Sequence, residues 1–95
     1  MSEGLARYEA DPGAVLIDVR TPEEYGEGRI PGSVNIPLDE LNRGIRRYSD
    51  LNTPLYLYCL TGARSGCAVP QLQRLGYTKV FDLGGIVSYH GKVEK

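Results

Sequence analysis

One stretch of this sequence carries the residue types that covalent chemistry needs: Cys59-Leu60-Thr61-Gly62-Ala63-Arg64-Ser65. The run before it, Leu55-Tyr56-Leu57-Tyr58, is short, aromatic and aliphatic, as in a strand. The residues after it recur at helical spacing. Cys59 therefore falls where a strand gives way to a glycine-containing loop and then a helix. Unpaired N–H groups and the positive end of the helix dipole favour thiolate over thiol there. Arg64 adds a nearby positive charge, so three influences are expected to lower the thiol pKa. Gly62 lets the loop curl without a Cβ clash. A curled loop aims several N–H groups inward as an anion nest. Such a nest suits a thiolate, a persulfide or a bound oxyanion.

Other chemistries fit the residues less well. A phosphatase or arsenate reductase loop, Cys-x5-Arg, must be wide enough for a tetrahedral oxyanion, whereas only four residues separate Cys59 from Arg64. Cys67 is read as a partly buried, inert thiol beside the apolar helix stripe. The alternative is a resolving cysteine that attacks oxidised or persulfidated Cys59, which needs Cα atoms within about 7 Å. His90 is the single histidine, so any Ser-His-Asp or Cys-His pair has to use it. Cys59, Cys67 and His90 match no usual zinc spacing, so no metal is expected.

The elements that must position Cys59 can be read from the apolar runs. Ala14–Ile17, Ser33–Ile36, Leu55–Tyr58 and Lys79–Leu83 read as strands, each bounded by turn formers. The first is continuously apolar, as in a strand buried on both faces. Leu38, Leu41, Ile45 and Tyr48 make one helical stripe, and Ala68, Leu72 and Leu75 another. Gly76 stands where a helix C-cap belongs. Pro70 predicts a kink or a delayed start in that helix. A further short helix is expected near Leu5 to Tyr8. Strands alternating with helices imply right-handed crossovers and a parallel sheet. In such sheets ligands bind at the carboxyl ends of the strands, here Asp18 to Arg20, Asn35, Cys59 onward and Gly84-Gly85.

Composition narrows the function classes. The chain has 95 residues, net charge −1 and 41% apolar residues, which suits one globular domain. Size scaling gives a folded surface of about 5,400 Å² against about 15,000 Å² unfolded, enough to bury one core. Nothing in the charge balance points to nucleic acid or an anionic membrane. No apolar run approaches the length of a membrane span, and the first residues lack the features of a secretory signal. A cytoplasmic protein is therefore expected. Two cysteines exclude a dense disulfide scaffold.

Three motifs in order resemble the rhodanese-like sulfurtransferases. The Cys59-x-x-Gly62-x-Arg64-Ser65 loop is similar to that family's active-site loop. Asp18-Val19-Arg20 followed by Glu24-Tyr25 resembles its first motif, and Gly28 to Pro37 its second, with Arg29 where the family often has histidine. The resemblance implies a single rhodanese-like α/β domain over residues 1–95, with a parallel sheet of four to five strands flanked by helices on both faces. The extra strand with which the family usually begins is not found between Met1 and Leu5, so an absent or truncated first edge strand is expected. The family often has tryptophan in Leu-x-Gly-Gly-x-x-x-Trp; here Leu83 directly precedes Gly84-Gly85 and the aromatic is Tyr89.

The activity that the resemblance implies is transfer of a sulfane sulfur from a donor such as thiosulfate to a thiophilic acceptor, through a persulfide on Cys59 and without cofactor or metal. Cys59 is then nucleophile and sulfur carrier, an instance of covalent catalysis. The N–H groups of Leu60, Thr61, Gly62, Ala63 and Arg64 would cradle the sulfur, and Arg64 would bind the donor's anionic end. Ser65 is expected to cap the helix after the loop. Asp18 and Arg20 support the site, either touching substrate or forming an ion-pair network with Glu23 or Glu24. Arg29 and Asn35 are read as structural, and most of the seven tyrosines as packing residues. Partners are a small-molecule sulfur donor and a thiol or cyanide acceptor, with a protein donor or acceptor as a further class. The alternative reading is a persulfide carrier or partner-binding module, such as those fused to flavin-dependent disulfide reductases. A thiol redox sensor using Cys59 and Cys67 is a weaker alternative.

Overall fold

Val15–Asp18 forms the first strand, β1, at the centre of a parallel sheet. The computed structural model describes residues 1–95. Before β1, Ser2–Glu9 is helix α1, so the chain reaches the sheet with no preceding strand. After it come α2 (Pro22–Glu27), β2 (Val34–Asn35), α3 (Leu41–Gly44), β3 (Leu55–Cys59), α4 (Ala63–Arg74) and β4 (Val80–Gly85). Four strands lie in the order β2-β1-β3-β4, all parallel. Val15 pairs with Leu55 and Asp18 with Tyr58, which aligns the carboxyl ends of the two central strands.

Alternation along the central strands divides the core in two. Ile17, Val19, Leu55, Leu57 and Cys59 face Leu41 and Ile45, and with them Ala68 and Leu72 of α4. Leu16, Tyr56 and Tyr58 face the opposite way, onto Ile30 and Leu83, with Leu5 and Tyr8 of α1 packed behind. Period-two side chains from strands buried on both faces produce this arrangement. The accessible surface is 5376 Å², in line with the size expectation.

Three expectations about elements change. The stripe from Leu38 to Tyr48 is no continuous helix: four α-helical residues lie between 3-10 turns at Leu38–Glu40 and Ile45–Arg47. Its Leu41 and Ile45 are buried all the same, so the stripe marks the correct face. Helix α4 runs through Pro70 and starts at Ala63, so its start is not delayed. Pro70 is exposed, and the Gly66 carbonyl left without its N–H partner belongs to an exposed residue where water can serve it. Leu75 is 43% exposed and lies off the buried stripe, because the helix ends at Arg74. There the Gly76 N–H donates to the Gln73 carbonyl and the Tyr77 N–H to the Leu72 carbonyl. That is a Schellman closure, and it turns Tyr77 into the core beside Leu72.

Candidate active site

Strand β3 ends at Cys59, and the loop that follows folds over the side chain. The residue is 1% exposed, and its sulfur lies beneath the first turn of α4. Gly62 is the N-cap of α4 and has φ +103°, a left-handed conformation that a Cβ would strain. This turn folds the chain back over the sulfur. The Gly62 N–H donates to Cys59 Sγ at 3.0 Å and the Ser65 N–H at 3.4 Å, with Ser65 Oγ 3.5 Å away. Leu60, Thr61 and Ala63 are exposed around this point and form the rim.

Burial pushes the Cys59 thiol pKa up, since a thiolate loses hydration. Hydrogen bonds from the Ser65 hydroxyl and from the Ser65, Gly62 and Arg64 N–H groups push it down and prevail. The net result is a thiol more acidic than usual. The sequence predicts this direction; donated hydrogen bonds are the leading cause, and the Arg64 charge also interacts favourably with the thiolate.

The Arg64 side chain is engaged elsewhere. Its guanidinium makes two bonds to the Glu24 carboxylate, at 2.7 and 3.0 Å. Glu24 Oε1 also accepts from the Thr21 N–H at 3.0 Å, completing a capping box at the start of α2. The hydrogen bond from Arg64 is the main reason that the Glu24 pKa falls to about 2; burial opposes it and Thr21 assists. Glu24 is thus the partner of Arg64, and the Asp18–Arg20 network closes without it. Arg20 Nη2 lies 2.7 Å from Asp18 Oδ2, with Asp18 fully buried, and also donates to the Gly28 carbonyl. Asn35 Nδ2 ties the Asp18 and Arg20 carbonyls together at 3.0 Å each. Asp18, Arg20 and Asn35 make no hydrogen bond to the Cys59 loop. Arg29 stacks on Tyr25 and pairs with Glu94 at the surface.

Ser65 does not cap α4. It occupies the third helical position, where its hydroxyl meets the sulfur and the Gly62 carbonyl. Cys67 is exposed, not partly buried. Two residues on from Ser65, it points about 200° around α4 from the side that meets Cys59. It is not placed to resolve Cys59.

The loop needs one neighbour that the sequence reading placed only at a ligand-binding strand end. A Cβ on Gly85 would lie 2.5 Å from the Leu60 carbonyl oxygen and 2.6 Å from Thr61 Cα. Only glycine at the end of β4 allows the loop this close. The Gly84-Gly85 pair was the available signal, as Thr21-x-x-Glu24 was for the capping box. Tyr89, the aromatic after Gly84-Gly85, is half-buried and packs against the core on the α1 side. Beside the loop, a cavity of about 350 Å³ is lined by Val19, Thr21, Pro37, Leu38, Asp39 and Arg64.

The rhodanese-like domain family matches residues 2–92. The Bacillus subtilis protein YqhL is 42% identical over 85% of this chain and 64% of its own length. The Escherichia coli thiosulfate sulfurtransferase PspE is 41% identical over 74% of this chain and 68% of its own. The chain thus spans about two thirds of these relatives. Among solved structures, a rhodanese with anions from E. coli is 36% identical with a TM-score of 0.78, over 86% of this chain and 98% of that one. The human single-domain sulfurtransferase TSTD1 is 32% identical with a TM-score of 0.73, over 87% and 85%. Cys59 in its amide nest, on a parallel sheet of this order, has the company that its motifs predict: the chain belongs to the rhodanese-like sulfurtransferase family.

Proposed function

We propose that residues 1–95 act as one domain that moves a sulfane sulfur from a donor such as thiosulfate to a thiophilic acceptor, through a persulfide on Cys59. The observation that carries this reading is the buried Sγ accepting the Gly62 and Ser65 N–H groups, which stabilise a thiolate. The thiolate attacks the outer sulfur of thiosulfate. The S–S bond breaks and its electron pair leaves with sulfite. The new terminal sulfur lies in the rim of Leu60, Thr61 and Ala63, near the loop N–H groups. Cyanide or a thiol then attacks that sulfur, takes it as thiocyanate or a persulfide, and returns Cys59 as thiolate. Dividing one transfer into two displacements lowers each barrier. Asp18 and Arg20 support the site from within the core. A reducing compartment such as the cytoplasm suits a free thiolate of this kind.

A persulfide carrier, loaded and unloaded by protein partners, is the second reading. The pairing of Arg64 with Glu24 favours it, since it leaves little free positive charge for a small anion.

Intact mass after incubation with thiosulfate tests the proposal. Wild type is expected to gain about 32 Da, one sulfur atom, and Cys59→Ser none. A gain that survives in Cys59→Ser overturns the assignment. Loading without turnover to cyanide or thiols favours the carrier.

A further inference from the structure

The charge beside the Cys59 loop runs against what a thiosulfate site needs. Thiosulfate is a dianion, and the cation positioned to meet it is Arg64. That guanidinium lies in a two-point bond with Glu24, at 2.7 and 3.0 Å, and the pair is only partly exposed, at 34% and 25%. The Thr21 N–H holds the same carboxylate from the other side. Arg64 therefore presents little unneutralised charge to the cavity it lines. The other ionisable residue on that cavity's wall is Asp39, an exposed carboxylate. The remaining lining residues, Val19, Thr21, Pro37 and Leu38, are uncharged. Arg43 and Arg47 line a separate cavity across Pro37, where Arg43 faces Glu40 at 3.6 Å. One cation, Arg64, thus stands with two carboxylates, Glu24 and Asp39, on the side of the Cys59 loop that this cavity adjoins.

We propose that Glu24, acting through Arg64, and Asp39 set the donor selectivity of this site toward sulfane carriers of low charge, organic persulfides and thiosulfonates, over the thiosulfate dianion. The inference rests on the sulfurtransferase reading and names its substrate class. Its chemistry is the same for either donor. The Cys59 thiolate attacks the sulfane sulfur, the S–S bond breaks, and its electron pair leaves with sulfite from thiosulfate, with a sulfinate from a thiosulfonate or with a thiolate from an organic persulfide. Only the donor's charge differs, and Coulomb energy scales with the product of the charges. A change of one unit at the site therefore moves the logarithm of the rate for a dianion twice as far as for a monoanion.

Glu24→Gln isolates that charge, because glutamine serves in a capping box as glutamate does. The probes are thiosulfate and benzenethiosulfonate. The measurement is the second-order rate of persulfide formation on Cys59, by quenched intact mass at low ionic strength. Each donor is compared with itself across variants, so its intrinsic reactivity cancels. Glu24→Gln is expected to speed loading by about tenfold for thiosulfate and about threefold for benzenethiosulfonate, and 0.5 M salt is expected to shrink both gains. Asp39→Asn is expected to act in the same two-to-one logarithmic ratio with a smaller effect, its carboxylate being more exposed. Equal factors for the two donors, no gain, or slower loading with both overturns the inference, since a merely structural role of Glu24 would not sort donors by charge. No mass gain on wild-type Cys59 from either donor would remove the sulfurtransferase reading itself, and this inference with it.

Discussion

Ser65 touches the Cys59 sulfur through two groups, its N–H at 3.4 Å and its hydroxyl at 3.5 Å. Hydrogen bonds to a charged acceptor are stronger than those between neutral groups, so the thiolate gains more from them than the thiol. Ser65→Ala removes the hydroxyl and keeps the N–H. The thiol pKa is then expected to rise, and the alkylation rate against pH to reach its midpoint at higher pH than in wild type. An unchanged midpoint contradicts the role given to the hydroxyl. Serine near a helix start normally signals a cap, and that expectation failed for a local reason. Gly62 already holds the capping position in the left-handed conformation, so α4 begins at Ala63, two residues before Ser65. Glu24 teaches the same lesson from the other side. Its partner Arg64 is forty residues away in sequence, and spacing alone cannot show that the two side chains meet.

At the scale of elements, the active-site loop depends on β4 as much as on β3. The two strands pair with a register shift after Leu57, which brings Gly84 opposite Tyr58 and Gly85 opposite Cys59. The Val87 N–H beyond β4 donates to the Leu60 carbonyl at 3.3 Å. Gly85→Ala would drive a methyl group into loop backbone, which cannot swing aside as a side chain can. The variant is expected to lose about 1–3 kcal/mol in urea denaturation, the range for overpacking, and to load sulfur more slowly. Gly26→Ala, on an exposed turn of α2 with nothing within 4 Å of its added Cβ, is the control. It is expected to hold or gain up to about 1 kcal/mol of stability from helix propensity. Equal stability and loading in both variants would mean that the close approach of loop and strand does not matter. Strand positions were legible because apolar runs bounded by turn formers leave few alternatives. The broken helix at residues 38–47 was not, because its stripe suits an α-helix and a chain of 3-10 turns nearly equally.

At the scale of the whole molecule, one charge pair is buried at the carboxyl end of β1. Asp18 is fully buried and Arg20 side-chain exposure is 6%, with Nη2 to Oδ2 at 2.7 Å. Burial of one such charge without its partner is far costlier than burial of the pair. Asp18→Ala leaves Arg20 stranded, and is expected to lose about 3–5 kcal/mol by chemical denaturation. That is a large part of the ~5–15 kcal/mol that holds a domain of this size. A loss under about 1 kcal/mol would mean that water reaches Arg20 and relieves it. Tyr58 shows the same economy of partners. Its hydroxyl sits 3.0 Å from Ser33 Oγ and accepts the Ile30 N–H at 3.1 Å, and burial raises its pKa to about 12.

The sequence by itself determined the parallel α/β order, the strand that carries Cys59 and the nucleophile, because periodicity, turn residues and loop chemistry are local properties. It also determined the direction of the Cys59 pKa, since a cysteine before a helix start meets N–H groups in any such fold. Only the tertiary structure decided which groups lead, the Ser65 hydroxyl and the Ser65 and Gly62 N–H groups. It alone decided that Arg64 belongs to Glu24, that Gly85 makes room for the loop, and that Cys67 faces solvent. Each of these is a contact between distant segments or a direction around a helix. Such facts follow from how the layers pack, and the order of residues along one strand or helix does not contain them.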